Sequence, residues 1–180
     1  MSGPATLRRP LVFLIGYRGT GKSAVAELLA ERLGWDAVDA DALIEARAGQ
    51  NIREIFQREG EAGFRAREAI LLEELCGRSN LVIATGGGVI LRDENREHLR
   101  KSGLSVWLTA DASTIWQRLQ TDVTTAQRRP NLTVGGLPEV EELLRVREPL
   151  YRACADLTVD TVGRSPEDVA DEVCRQLKDH

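Results

Sequence analysis

Residues 16–23 read Gly16-Tyr17-Arg18-Gly19-Thr20-Gly21-Lys22-Ser23 and satisfy every fixed position of G-x-x-x-x-G-K-[ST]. The flanks decide how that stretch folds. Leu11-Val12-Phe13-Leu14-Ile15 before it is an apolar run short enough for a buried strand. Ala24 to Leu33 after it carries apolar residues at helical spacing. A strand, a glycine turn and a helix N-terminus bring a row of backbone N–H donors and a positive dipole end to one point, where an anion can bind. Gly16, Gly19 and Gly21 let the backbone curl around phosphate with no Cβ in the way. In such a loop Lys22 reaches the β- and γ-phosphates of ATP, and the Ser23 hydroxyl holds Mg²⁺. Gly16, Gly19, Thr20, Gly21, Lys22 and Ser23 are therefore the candidate nucleotide-binding residues.

Composition narrows the rest. The 180 residues suit one domain with a substantial core, and 42% hydrophobic with 29% charged residues is ordinary for a soluble globular chain. A formal net charge of −4 argues against a nucleic-acid partner. Cys76, Cys154 and Cys174 lack metal-ligand spacing and read as free thiols in a reducing cytoplasm. The apolar run after Arg8 and Arg9 is too short for a signal-peptide core, and no stretch approaches a membrane span.

Strand-like and helix-like segments alternate along the chain. After the first strand and helix come a short strand at Asp36–Asp39 and a helix at Ala42–Ala48. Asn51 caps a further helix, and a longer one runs from about Glu61 to Cys76. A third buried strand, Leu81–Ala84, ends in Thr85-Gly86-Gly87-Gly88. Helices at Asp93–Lys101, Ala112–Leu119 and Glu139–Arg152 alternate with strands at Leu104–Leu108 and Leu157–Asp160. Pro149 is expected to kink or end its helix. Ser165-Pro166-Glu167-Asp168 opens the last helix, with Ser165 at the cap. The pattern predicts a three-layer α/β/α sandwich on a five-stranded parallel sheet.

Four stretches carry chemistry beyond the phosphate loop. Asp39-Ala40-Asp41 follows the second strand, at the sheet edge where ligands bind. Asp41 is equally eligible as N-cap of the helix from Ala42. Phe64-Arg65-Ala66-Arg67-Glu68 puts Glu68 one helical turn from Arg65, while Arg67 reads as a surface ion-pair residue. Gly86-Gly87-Gly88 suggests backbone that must approach something closely. Arg128-Arg129-Pro130 lies in an irregular stretch from about 120 to 138, and Arg147-Glu148-Pro149-Leu150-Tyr151 follows it. The two histidines, His98 and His180, are poorly placed as bases, so proton transfer must rest on carboxylates.

In these stretches the chain resembles the shikimate kinases, small kinases built like nucleoside monophosphate kinases, over about residues 11–178. The resemblance implies one kinase domain across 1–180, a mobile lid at about 120–138 and shikimate-binding helices at about 41–76. It implies transfer of the γ-phosphoryl of ATP to the 3-hydroxyl of shikimate. Asp39 would organise the Mg²⁺ shell through water, and Asp41 would contact a shikimate hydroxyl and accept its proton. Arg65 and Arg147 would grip the shikimate carboxylate, with Phe56 and Phe64 as apolar walls. Gly86, Gly87 and Gly88 would touch the substrate and the Mg²⁺-linked water. Arg129 would swing in with the lid to bear charge on the transferring phosphoryl. Arg118 would stack on adenine, with Arg164 and Pro166 in the adenine loop. The implied partners are ATP and shikimate only, with no nucleic acid or membrane, in a cytoplasmic monomer. Asn131 departs from the leucine common in the family after the lid Arg-Pro. A kinase for another small hydroxy acid, such as gluconate, is disfavoured by the triple glycine and the Arg-x-Pro-Leu-Tyr run. A non-catalytic nucleotide-binding module is disfavoured by intact Lys22, Asp41 and Arg129.

Overall fold

Every residue of the apolar run Leu11–Ile15, strand β1, is buried. A continuous run of large apolar side chains needs cover on both faces, which only a central strand receives. The computed structural model describes residues 10–122 and 135–179. Within them β1, β2 (Asp36–Asp39), β3 (Leu81–Ala84), β4 (Leu104–Thr109) and β5 (Leu157–Asp160) form one five-stranded sheet in the order β2-β3-β1-β4-β5. All its pairings are parallel. The described helices are α1 (Lys22–Leu33), α2 (Ala40–Ala48), α3 (Ile52–Cys76), α4 (Asp93–Ser102), α5 (Ala112–Thr121), α6 (Gly136–Cys154) and α7 (Pro166–Lys178).

Side-chain alternation along β1 builds the three layers. Leu11, Phe13 and Ile15 pack with Leu71, Leu72 and Leu75 of α3 and with Tyr151 and Cys154 of α6. Val12 and Leu14 point the other way, onto Val25 and Leu29 of α1 and Val169 and Val173 of α7. The α/β/α sandwich expected from the alternation of segments is the observed fold.

The topology creates the crevice. β1 has β3 on one side and β4 on the other, so the chain reverses direction across the sheet at β1. Ligands in open α/β sheets bind outside the carboxyl ends of strands at such a reversal. Ala84 is in register with both Leu14 and Asp39. The segments after β1, β2 and β3 therefore leave the sheet at one level, and these hold the glycine motif, the Asp39–Asp41 pair and the triple glycine.

Three local expectations need correction. α2 begins at Ala40, two residues early, because Asp39 caps it: its Oδ1 accepts from the Ala42 N–H at 3.0 Å. Asp41 is thus in the first turn and is not the cap. Pro149 neither kinks α6 to a stop nor ends it; the helix continues to Cys154. A proline inside a helix costs about 3 kcal/mol or more, and the buried Tyr151 and Cys154 in the next turn offset it by packing into the core. α5 runs on to Thr121 and α6 begins at Gly136, so both extend into the stretch expected to be irregular. The expected pair of helices at 52–76 is present as two helical stretches broken at Gly60, whose φ of 70° and ψ of −178° are not helical. The proposed lid residues 123–134, Arg129 among them, lie outside the described residues.

Candidate active site

The loop between β1 and α1 is shaped by where it must pass. Gly16 has φ 143°, and a Cβ there would sit 2.4 Å from the Leu108 carbonyl oxygen at the end of β4. Only glycine fits so tight a crossing. Gly21, in the left-handed region at φ 86°, begins α1 without a side-chain cap, and the first turn holds no acidic residue. The first amides of α1 are thus left to point at the cleft, the arrangement that favours an anion. The Lys22 ammonium donates to the carbonyls of Gly16 and Tyr17, at 2.9 Å each. Thr20 is buried and donates back to Tyr17 O at 2.8 Å, so its hydroxyl braces the loop.

Ser23 Oγ donates to Asp39 Oδ2 at 2.5 Å. Asp39 therefore uses one oxygen on the α2 cap and the other on the serine of the phosphate loop. A hydroxyl and a carboxylate side by side at a phosphate-binding helix end are hard oxygen donors, which suit Mg²⁺. No cluster of three or more His, Cys, Asp or Glu metal ligands occurs among the described residues.

The triple glycine is explained by close approach. A Cβ on Gly86 would lie 2.6 Å from Glu68 Oε1 and 2.9 Å from Asp41 Oδ1. A Cβ on Gly88 would lie 2.3 Å from Arg65 Nη2. The backbone after β3 thus runs directly against the carboxylates and guanidinium of α2 and α3. Arg65 is only 8% exposed, with Nη1 bonded to Glu68 Oε2 at 2.8 Å and Nε 3.5 Å from Glu61. Arg67 instead forms a two-pronged exposed pair with Glu59. The Arg65 tip cannot yield without breaking its Glu68 bond, so Gly88→Ala should displace it. The expected result is a lowered melting temperature, from the disturbed buried Arg65–Glu68 pair, and affinity for an anion gripped by Arg65 lowered about tenfold or more, a loss near 1.4 kcal/mol. Thermal melting and calorimetric titration check this.

Arg147 projects from α6 to the ring of buried Tyr17, with Cζ 5.7 Å from the ring centroid. Tyr151, one turn on, donates its hydroxyl to the Gly87 carbonyl and stacks on Trp107 at 5.9 Å. Burial pushes the Tyr151 phenol well up, opposed in part by Arg147, so it stays a donor. The tripeptide Pro149-Leu150-Tyr151 thereby ties α6 to the glycine loop. Phe64 is buried and Phe56 half-buried, with ring centroids 5.0 Å apart.

Arg18, Gly19, Gly21, Lys22, Ser23, Asp39, Asp41, Ile52, Thr85, Gly87 and Arg118 line one cleft of about 330 Å³. A smaller hollow of about 160 Å³ adjoins it, walled by Gly19, Thr20, Arg118, Arg164 and Pro166. The expected adenine residues therefore meet at one place. Arg118 is fixed there by bonds to Gly19 O at 3.1 Å, Thr161 Oγ1 at 3.0 Å and Thr161 O at 2.9 Å. Ser165 and Asp168 form a capping box on α7, so Ser165 is a helix cap. Glu45 accepts from the Ile52 N–H at 3.0 Å and steadies the start of α3. Sequence reasoning missed Arg18 and Thr85 as cleft residues. Arg18 stands at an unrestricted motif position, which gives no signal. Thr85 could have been found as the polar residue ending an apolar strand; it donates to Leu14 O at 2.8 Å.

A family model described as shikimate kinase matches residues 18–178. A shikimate kinase of Rhodopirellula baltica is 48% identical over 165 residues, which are 91% of this chain and 88% of that protein. A shikimate kinase of Symbiobacterium thermophilum is 43% identical over 169 residues, 93% of this chain and 96% of that one. Among solved structures, shikimate kinase from Acinetobacter baumannii in complex with shikimate matches with a TM-score of 0.89 and 38% identity, over 95% of this chain and 94% of that one.

Proposed function

This chain belongs to the shikimate kinase family, and from that premise we propose how its residues perform the reaction. It is an ATP-dependent kinase that moves the γ-phosphoryl of ATP to the 3-hydroxyl of shikimate, giving shikimate 3-phosphate and ADP. One observation carries the assignment of roles. The phosphate loop, Asp41 and the triple glycine that abuts Arg65 and Glu68 leave the sheet at the same edge and frame one cleft.

The nucleotide enters with its phosphates on the amides of Gly19 to Ser23 and its base by Arg118, Arg164 and Pro166. Ser23 and Asp39 would hold Mg²⁺, Asp39 through water; the metal, when bound, neutralises phosphate charge. Shikimate enters with its carboxylate between Arg65 and Arg147. Glu68 fixes the Arg65 fork, and Tyr17 supports Arg147 from beneath. Asp41, in the first turn of α2 beside the cap residue Asp39, faces the cleft and is the acceptor-side carboxylate in this reading. Positioning and charge stabilisation dominate phosphoryl transfer, so even a weak base suffices as proton acceptor. Lys22 bears developing charge at the β- and γ-phosphates. Arg129, outside the described residues, is proposed to bear part of the same charge. The enzyme works as a cytoplasmic monomer with no nucleic-acid or membrane partner. No described helix is long and apolar enough to cross a membrane.

Arg65→Ala and Arg147→Ala should each weaken shikimate binding by about 2–5 kcal/mol, the cost of truncating one partner of a charge pair in a desolvated pocket. ATP affinity should hold. Titration calorimetry decides, and equal weakening for both ligands would refute the carboxylate clamp. The reaction itself is tested by coupled ADP release from MgATP with shikimate, with gluconate and with no acceptor. Turnover only with shikimate is expected. Turnover with gluconate alone would shift the assignment to another hydroxy acid, and none with either would mark a non-catalytic module.

A further inference from the structure

The motif leaves the second residue after Gly16 unrestricted, and this chain has an arginine there. We propose that Arg18 is a catalytic residue whose guanidinium bears negative charge on the transferring γ-phosphoryl from within the phosphate loop. This deepens, and rests on, the kinase reading above.

Arg18 is half-buried and lines the same cleft as Lys22, Ser23, Asp41, Thr85 and Gly87. Its main-chain nitrogen lies 3.3 Å from where a Gly87 Cβ would be. The chain at Arg18 therefore runs along the seam between the nucleotide side and the acceptor side. Lys22 rests on the carbonyls of Gly16 and Tyr17, the two residues before Arg18, so both cations attend one turn of backbone. The Arg18 guanidinium carbon stands 5.9 Å from the centroid of the Tyr17 ring, which is 2% exposed and also supports Arg147. An aromatic contact of this kind steadies a guanidinium, and a planar N–H fork suits phosphoryl oxygens. Arg65 and Arg147 serve the carboxylate end of the acceptor, whereas Arg18 stands on the phosphate loop itself.

In the transfer, the bond from the γ-phosphorus to the β,γ-bridging oxygen breaks and its electron pair stays on ADP. The acceptor oxygen bonds to the γ-phosphorus, and its proton passes to Asp41. Charge spreads over the three equatorial oxygens between these events, and a donor aimed there acts mainly on kcat.

Arg18→Met should lower kcat by about a hundredfold or more, within the range for loss of one transition-state donor, with both KM values within about threefold. Arg18→Lys should recover part of the loss, since a point charge replaces the fork. Calorimetry gives an independent readout. ADP with aluminium fluoride and shikimate, which mimics the transferring phosphoryl, should bind the variants more weakly by a similar factor, while ADP alone binds as before. Unchanged ADP affinity and melting temperature show that the fold is intact; if the methionine variant misfolds, the lysine variant decides by the same measures. A raised KM for shikimate with kcat unchanged overturns the proposal, as does no change in kcat and in aluminium fluoride binding. The wild type is assayed in parallel: if it shows no shikimate-dependent ADP release, the kinase reading fails. If it is active and the variants match it, only the role of Arg18 fails.

Discussion

Lys22→Met should lower kcat by a factor of about a thousand or more, the upper range for losing one transition-state donor. The ammonium rests on the Gly16 and Tyr17 carbonyls at the mouth of the cleft. In a loop of this kind the lysine is the residue that bridges the β- and γ-phosphates. Methionine keeps the length and the apolar stem, so α1 and its packing on α7 should survive. Circular dichroism and melting would report a folded protein, and steady-state kinetics the fall in turnover. A variant keeping more than a tenth of wild-type kcat would mean that the loop does not serve phosphoryl transfer.

Asp41→Asn should lower kcat by about a hundredfold or more, in the range for a positioned proton acceptor. Asparagine preserves shape and can still accept a hydrogen bond from the substrate hydroxyl, so KM for shikimate should move little. It cannot take the proton at neutral pH. Asp39, not Asp41, caps α2, so the substitution leaves the helix cap in place. Stopped-flow or steady-state kinetics with both substrates saturating gives the number. A loss below about tenfold would leave Asp41 as an aligning group, since positioning alone can supply much of the rate.

How far these roles were legible in the sequence depends on the kind of signal. The course of residues 11–33 as strand, glycine turn and helix was legible, because the motif and both flanks agree. So was the layered parallel fold, from alternation of segments alone. The strand order was not, since nothing local says that β3 rather than β2 lies beside β1. The Asp39–Asp41 ambiguity could not be resolved from sequence. Either residue is a competent cap two positions from the other, and only the path of the backbone selects Asp39. The triple glycine announced a close approach but not its partners; those are Asp41 and Glu68 at Gly86 and Arg65 at Gly88, all distant in the chain. Pro149 misled because local helix chemistry disfavours it, while burial of Tyr151 and Cys154 outweighs that cost. Arg18 gave no signal at all, as its position in the motif accepts any residue.

The cleft should deliver the γ-phosphoryl of ATP to one hydroxyl of shikimate. The most direct measurement is phosphorus–proton correlation by NMR on the product formed from MgATP and shikimate. The expected result is one new phosphomonoester signal, coupled to the ring proton at carbon 3, appearing in equal amount with ADP. Phosphate released to water, a phosphoryl on another hydroxyl, or ADP formed at the same rate without shikimate would contradict it.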